Sequence, residues 1–333
     1  MPGARILVLK QEGLRQFVEA EPAFAAIRAA NPGVPIDLLT TAAFGRLAKG
    51  SPHFDRVLAA GSFNDKAAQK EFVSQLKRIG YEQVYDLDGT KATLELRSAM
   101  TGFRGPRWIG PKRVMTKEGR QTASFSGPAM RKLLSDARLP VEHRLPDLRW
   151  AFTARKDAAN MQPSWFGITG QFALLLPATD PSRRWPAKAY AVLAQALAAE
   201  GIKSVVIGPD EISAFAHDIA KQDLGDGRSL GAGQVIDLAG KADLSQLAML
   251  ARHAQFFVAG ATDELHLCAS VGCPGLLLLH PADVSEAESL FGREVIKLTA
   301  QDVSRIDAEM AISMLRNMGL LKGAPKKGLR AFA

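Results

Sequence analysis

The chain has 333 residues, 47% hydrophobic and 23% charged, with two cysteines and a formal net charge of +8. That mix excludes a largely disordered chain, a collagen-like repeat and a disulfide scaffold, and the length predicts two domains of ordinary size. No apolar run approaches the roughly 18 residues of a spanning helix, and Met1-Pro2-Gly3-Ala4-Arg5 lacks the features of a secretory signal, so a cytoplasmic protein is expected.

Short apolar runs alternate with helical patterns along the chain. Arg5–Leu9 reads as a buried strand, Pro22–Ala30 as a helix, Ile36–Leu39 and Arg56–Leu58 as strands, Glu71–Ile79 as a helix and Gln83–Leu87 as a fourth strand. Residues 103–128 break the rhythm, with a short strand at Trp108-Ile109 and then an excursion rich in Gly, Pro and basic residues. Residues 151–170 are irregular and read as a linker. The alternation restarts with a strand at Phe172–Leu176 and a helix at Pro186–Glu200, opened by proline and ended by Gly201. Strands at Ser204–Ile207 and Val235–Leu238 follow, then a helix at Leu244–Arg252. Strands at Phe256–Val258 and Leu276–Leu279 flank a helix at 264–271, and Asp302–Met318 reads as a final helix. This predicts an α/β protein of two doubly wound parallel-sheet domains, residues 1–150 and 171–318, with a basic, frayed tail at 319–333. In such sheets ligands bind at the carboxyl ends of the strands, and the cleft between two such domains is the default site.

The charge is unevenly spread. Residues 1–150 hold 24 Lys/Arg against 15 Asp/Glu, whereas residues 151–333 hold 18 against 19. Within 103–132, Arg104, Arg107, Lys112, Arg113, Lys117, Arg120, Arg131 and Lys132 face a single acid, Glu118. Such a cluster suits an anionic partner: a phosphorylated glycolipid, a membrane surface or a nucleic acid. The plain alternative is a solvated loop. Few stacking aromatics accompany the cluster, which speaks against nucleic acid. Cys268 and Cys273, five apart, lack the spacing of a metal or redox pair and read as small buried or half-buried thiols.

Six segments, in order, resemble glycosyltransferase family 9, the ADP-heptose lipopolysaccharide heptosyltransferases and their relatives. Ile6–Lys10 and Glu21–Arg28 resemble the family's first strand and helix. Tyr81–Gly89 resembles its "YDLVIDLQG", Arg107–Gly110 its "RRIG", Ser182–Pro186 its "SKRWP", Asp237–Lys241 its "NLAGKT", and His266–Pro274 its "HLAAALGTP". The resemblance spans roughly residues 5–315. It implies the GT-B fold, two Rossmann-like domains facing a cleft. It implies inverting transfer of a sugar from a nucleotide-sugar donor, ADP-linked, to an anionic glycan or glycolipid in lipopolysaccharide or envelope polysaccharide synthesis. No cofactor and no metal are implied. The C-terminal domain would hold the nucleotide. The basic N-terminal domain would face the acceptor, in peripheral contact with the inner face of the inner membrane.

The same resemblance points to site residues. Thr179 and Ser182 would hydrogen-bond phosphate oxygens at a helix start, and Arg183, where the family often has lysine, would face the leaving diphosphate with a planar fork. His266 would contact the diphosphate beside Thr262. Glu211 falls where the family often has a carboxylate near the donor ribose; a first-turn acid favoured by the helix dipole is the alternative. Two departures stand out. The family's "LGALGD" loop, whose aspartate is the expected base, reads Gln11-Glu12-Gly13-Leu14-Arg15-Gln16. Gln16 cannot take a proton, so Glu12 or Glu19 would have to substitute. The family's "DSGPMH" reads Ala261-Thr262-Asp263-Glu264-Leu265-His266, where Asp263 would cap the following helix. These departures leave a second reading open, a catalytically degenerate relative acting as a binding or scaffold protein. A third, a sugar-nucleotide epimerase, fits the architecture alone.

Overall fold

The alternation becomes two parallel sheets in the computed structural model, which describes residues 4–60, 66–102, 105–111, 127–152, 158–224, 230–290 and 294–322. The chain divides into two compact units, Met1–Thr153 and Ala154–Ala333.

In the first unit the elements run β1 (Ile6–Leu9), α1 (Leu14–Glu19), α2 (Glu21–Ala30), β2 (Ile36–Thr41), α3 (Ala42–Ala48), β3 (Arg56–Ala60), α4 (Lys66–Ile79), β4 (Gln83–Asp86), α5 (Lys91–Met100), β5 (Arg107–Ile109) and α6 (Gly127–Asp136). The sheet order is β3-β2-β1-β4-β5, every pair parallel. β1 is fully buried because helices cover both faces, which explains its unbroken apolar run. Leu7, Leu9, Leu39, Leu76, Tyr81, Val84 and Met100 form one core cluster.

In the second unit the order is β6 (Phe172–Leu176), α7 (Ala187–Ala199), β7 (Lys203–Val206), α8 (Ser213–Ala220), β8 (Val235–Asp237), α9 (Leu244–His253), β9 (Phe257–Ala259), α10 (Glu264–Ser270), β10 (Gly275–Leu279), β11 (Val295–Thr299) and α11 (Ala308–Asn317). The sheet runs β11-β10-β9-β6-β7-β8, again all parallel. α9 opens on a reciprocal cap in which Asp243 accepts from the Gln246 N–H and the Gln246 side chain accepts from the Asp243 N–H. Gly201 takes φ +73° beyond the end of α7, as its position after the helix suggests. Both cysteines are buried free thiols, and burial pushes Cys273 up to about 12.

Three sequence expectations change. Residues 11–16 are not one loop: Leu14, Phe17 and Val18 recur at helical spacing and are buried, so α1 begins at Leu14 and carries Gln16. The final helix is interrupted. A short 3-10 turn at Val303–Arg305 precedes α11, because Asp307 caps a new helix and the Ile306 carbonyl accepts the Trp185 indole N–H at 2.7 Å. Asp263 makes no capping bond; the Thr262 hydroxyl oxygen accepts the Glu264 N–H instead. Most of the basic run at 103–132, namely Arg104, Lys112, Arg113, Lys117 and Arg120, lies outside the described residues, as does the tail from residue 323.

Two predictions follow from the packing. A Cβ on Gly275 would lie 2.3–2.6 Å from the buried ring of Phe257, so Gly275→Ala should cost roughly 1–3 kcal/mol in urea unfolding; an unchanged midpoint would contradict this packing. Glu21, 3% exposed, accepts two bonds from Arg144 (2.7 and 2.8 Å), one from the Asp147 N–H (3.0 Å) and lies 3.2 Å from the His53 ring. Burial alone would push its carboxyl up, but those partners outweigh burial and hold it below the ordinary value. Glu21→Gln should therefore cost roughly 2–4 kcal/mol near neutral pH. Because the native pKa is the lower one, this stabilisation is complete above the ordinary carboxylate range and fades as pH falls through the native pKa. Denaturant midpoints measured from neutral to acid pH should show the gap between the two proteins closing.

Candidate active site

Each sheet reverses its strand order beside its first strand, between β1 and β4 in one unit and between β6 and β9 in the other. At such a switch point the loops leaving adjacent strands turn to opposite faces and leave a crevice at the carboxyl edge. Most of the residues singled out from the sequence lie on loops or first helical turns at those edges; Glu19 ends α1.

In the second unit the loop after β9 carries Ala261, Thr262 and Asp263, and α10 carries His266, which is buried. These residues line a pocket of about 80 Å³ with Leu265, Leu279, Asp283 and Ala287. That is room for a phosphate-sized group. Arg183, on the loop after β6, reaches Asp283 on the pocket wall, Nη1 to Oδ2 3.0 Å. Thr262 and His266 thus border one small cavity, and Arg183 is joined to it through Asp283. Thr262 donates to Glu264 Oε2 at 2.5 Å and accepts the Glu264 N–H, which fixes the loop before α10.

The other predicted donor residues stand apart from that cavity. Ser182 lies on a short 3-10 turn, and both its hydroxyl and its N–H donate to Asp180 Oδ1 (2.8 and 2.9 Å). Both of its donors are thus engaged by Asp180. Thr179 is exposed, and its carbonyl accepts from Arg184. Arg184 also donates to the Ala178 carbonyl (2.6 Å) and lies over the Phe215 ring, 4.7 Å from its centre. Glu211 is exposed in a 3-10 turn after β7, the strand on the far side of β6 from β9.

In the first unit, Lys10 follows β1 and is fully buried. Its ammonium has three donors and three acceptors: the Leu87 carbonyl (3.0 Å), Asp88 Oδ1 (2.9 Å) and Glu12 Oε2 (3.2 Å). Asp88, also buried, takes the Gln11 N–H at 2.6 Å and the Glu12 N–H at 3.4 Å, so the same carboxylate holds the loop and balances the lysine. Asp86 accepts the N–H groups of Asp88 and Gly89; burial, with the Asp88 charge, raises its carboxyl above the ordinary value. Glu12 keeps 19% of its side chain exposed at this edge. Gln16 is half-buried on α1. Glu19, the other candidate base, accepts the Gly127 N–H at 3.0 Å and ties α1 to α6. Sequence reasoning missed Lys10, Asp88 and Asp283 as site residues. The signal for the first two was a lysine ending a buried strand and an aspartate ending the strand that pairs with it. Asp283, 100 residues from its partner, left none.

Among the described residues no helix is long and apolar enough to cross a membrane, and no group of three or more His, Cys, Asp or Glu is placed to hold a metal ion.

Comparison with known proteins supplies the remaining finding. The structure is similar to Escherichia coli ADP-heptose lipopolysaccharide heptosyltransferase II, with a TM-score of 0.74 and 17% identity over 94% of this chain and 98% of that one. It is similar to a family 9 glycosyltransferase of Veillonella parvula (TM-score 0.72, 16% identity, 95% and 97%) and to E. coli heptosyltransferase WaaC with ADP (0.69, 18%, 94% and 99%). At these identities the likeness establishes the fold, that of the GT-B glycosyltransferases. A curated Haemophilus influenzae protein described as a putative glycosyltransferase is 34% identical over 73 residues, so the chain spans about a fifth of that relative's length. The sequence model of glycosyltransferase family 9 (heptosyltransferase) matches residues 71–298, well over half of the chain. The chain belongs to glycosyltransferase family 9, the heptosyltransferases.

Proposed function

We propose that the chain transfers a sugar from an ADP-linked, heptose-type donor to an anionic glycan or glycolipid acceptor in lipopolysaccharide or envelope polysaccharide synthesis. The observation that carries this reading is a phosphate-sized pocket at the switch point of the second sheet, bordered by Thr262 and His266 and walled by Asp283, which pairs with Arg183. The WaaC relative was solved with ADP, and the pocket suits one phosphate of such a diphosphate. Arg183 meets the charge that develops on the leaving group, the role for which a planar guanidinium is suited. Thr262 and His266 border the same space. In this reading Thr179 and Ser182 serve the phosphates and Glu211 the donor ribose.

The first unit supplies the acceptor side. In the transfer the acceptor hydroxyl oxygen bonds to the anomeric carbon as the bond from that carbon to the phosphate oxygen breaks, which inverts the centre. The hydroxyl proton passes to a carboxylate. Gln16 is an amide and cannot take it. Of the two candidate substitutes, Glu19 is committed to Gly127, whereas Glu12 is partly exposed and held by Lys10 and Asp88. Glu12 is the base in this reading. The basic excess of residues 1–150 draws in a phosphorylated acceptor at the inner face of the membrane. The scaffold alternative draws on Gln16 and Ala261, which stand where the family motifs have aspartates.

Calorimetric titration with ADP, UDP and GDP tests the donor half. ADP should bind, and Arg183→Ala should weaken it about 10–100-fold, the worth of a charge-assisted bond. Binding of none of the three, or unchanged binding by Arg183→Ala, would contradict it. Turnover of ADP-heptose with a heptose-deficient lipopolysaccharide tests the other half. Glu12→Gln should lower kcat roughly 10²–10⁴-fold and leave ADP affinity unchanged. No turnover by the unaltered protein, with ADP binding intact, would favour the scaffold reading.

A further inference from the structure

Arg183 and Asp283 come from different strands, Arg183 after β6 and Asp283 after β10, with β9 lying between them in the sheet. Their side chains meet at 3.0 Å while 32% and 21% exposed. Asp283 also lines the pocket that Thr262 and His266 border. The guanidinium assigned to the donor diphosphate is therefore already shared with a fixed carboxylate, and any phosphate in the pocket lies beside that carboxylate.

We propose that Asp283 is a specificity-determining residue that disfavours the free nucleoside diphosphate product relative to the sugar-linked donor. The inference rests on the donor site proposed above. In the donor both phosphates are esterified, and the diphosphate carries two negative charges. When the bond to the sugar breaks, the terminal phosphate gains an ionisable oxygen, whose second ionisation lies near pH 6. At pH 8 the product thus carries one more charge than the donor, placed at the end that faced the sugar. A fixed carboxylate a few ångströms away in a partly buried site opposes that extra charge more than it opposes the donor. Arg183 attracts both ligands. After transfer Asp283 retains its hold on Nη1 while the more highly charged product is repelled, so ADP leaves and the next donor enters.

Asp283→Asn isolates the charge. The amide is isosteric, and its oxygen still accepts from Arg183. The full chain and this variant are titrated calorimetrically with ADP and with ADP-heptose at pH 8. The account expects ADP to tighten roughly tenfold and ADP-heptose about threefold or less, once screening by salt is allowed for. Asp283→Ala, which also loses the hydrogen bond, should move the ratio of the two affinities in the same direction, since a general loosening cancels in the ratio. Equal tightening of both ligands, no change, or weaker ADP in the Asn variant would overturn the proposal. If Arg183→Ala loses both ligands while the ratio is unmoved by Asp283→Asn, the donor site stands and this inference alone falls. If neither ligand binds the unaltered chain or the variant, both fall. ADP binding that appears only in the Asn variant supports the inference.

Discussion

A parallel strand pair can be closed only by a crossover, and a right-handed crossover sends each helix to a fixed side of the sheet. Beside β1 and beside β6 the succession of strands reverses, so the loops leaving neighbouring strands part to opposite faces. The edge between them is left open there. Among the described residues, Lys10, Glu12 and Asp88 lie at the opening of one unit and Arg183, Thr262, His266 and Asp283 at that of the other. The fold thereby supplies two crevices from two copies of one topological device.

The two openings are handled differently. In the first unit Lys10 and Asp88 are buried and paired, with the partly exposed Glu12 as the lysine's third partner. Lys10 has three acceptors for its three donors, and Asp88 closes the loop by taking two backbone N–H groups. Buried ion pairs of this kind contribute little net stability but lose several kcal/mol when one partner is removed, which makes them devices for holding one geometry. Elsewhere in that unit Asp37, buried, is matched by Arg5 (3.0 Å), Arg56 (2.8 Å) and the Tyr81 hydroxyl (2.6 Å). In the second unit the Arg183–Asp283 pair is partly solvated, so its partners can be exchanged at modest cost. In the proposed reaction the first unit's buried pair would anchor the base and the Arg183–Asp283 pair would lie beside the leaving group.

Much of the fold was legible because its strands are buried on both faces and read as unbroken apolar runs: Ile6–Leu9, Phe172–Leu176 and Gly275–Leu279 stand out in the sequence. The failures have local causes. α1 is six residues long, has no side-chain cap and begins after a glycine, so only the spacing of Leu14, Phe17 and Val18 marked it. β11 was missed because its residues alternate between buried and exposed at the edge of the sheet. The site was half legible. Ordered motifs pointed to Arg183, Thr262 and His266; the last two border one pocket and Arg183 pairs with Asp283 on its wall. Asp283 was invisible because its contact is made through the fold, and the Asp180 side chain that takes both Ser182 donors was likewise not read from the sequence.

The central claim is that the crevice beside β6 holds the donor diphosphate. Hydrogen–deuterium exchange of the full chain with and without ADP tests it most directly, because it locates the ligand without needing the acceptor. The account predicts slowed exchange in the stretch 260–267, which lines the pocket, and in 178–185, which carries Arg183, with unchanged exchange at 10–16. Protection absent from both stretches, or confined to the first unit, would contradict it.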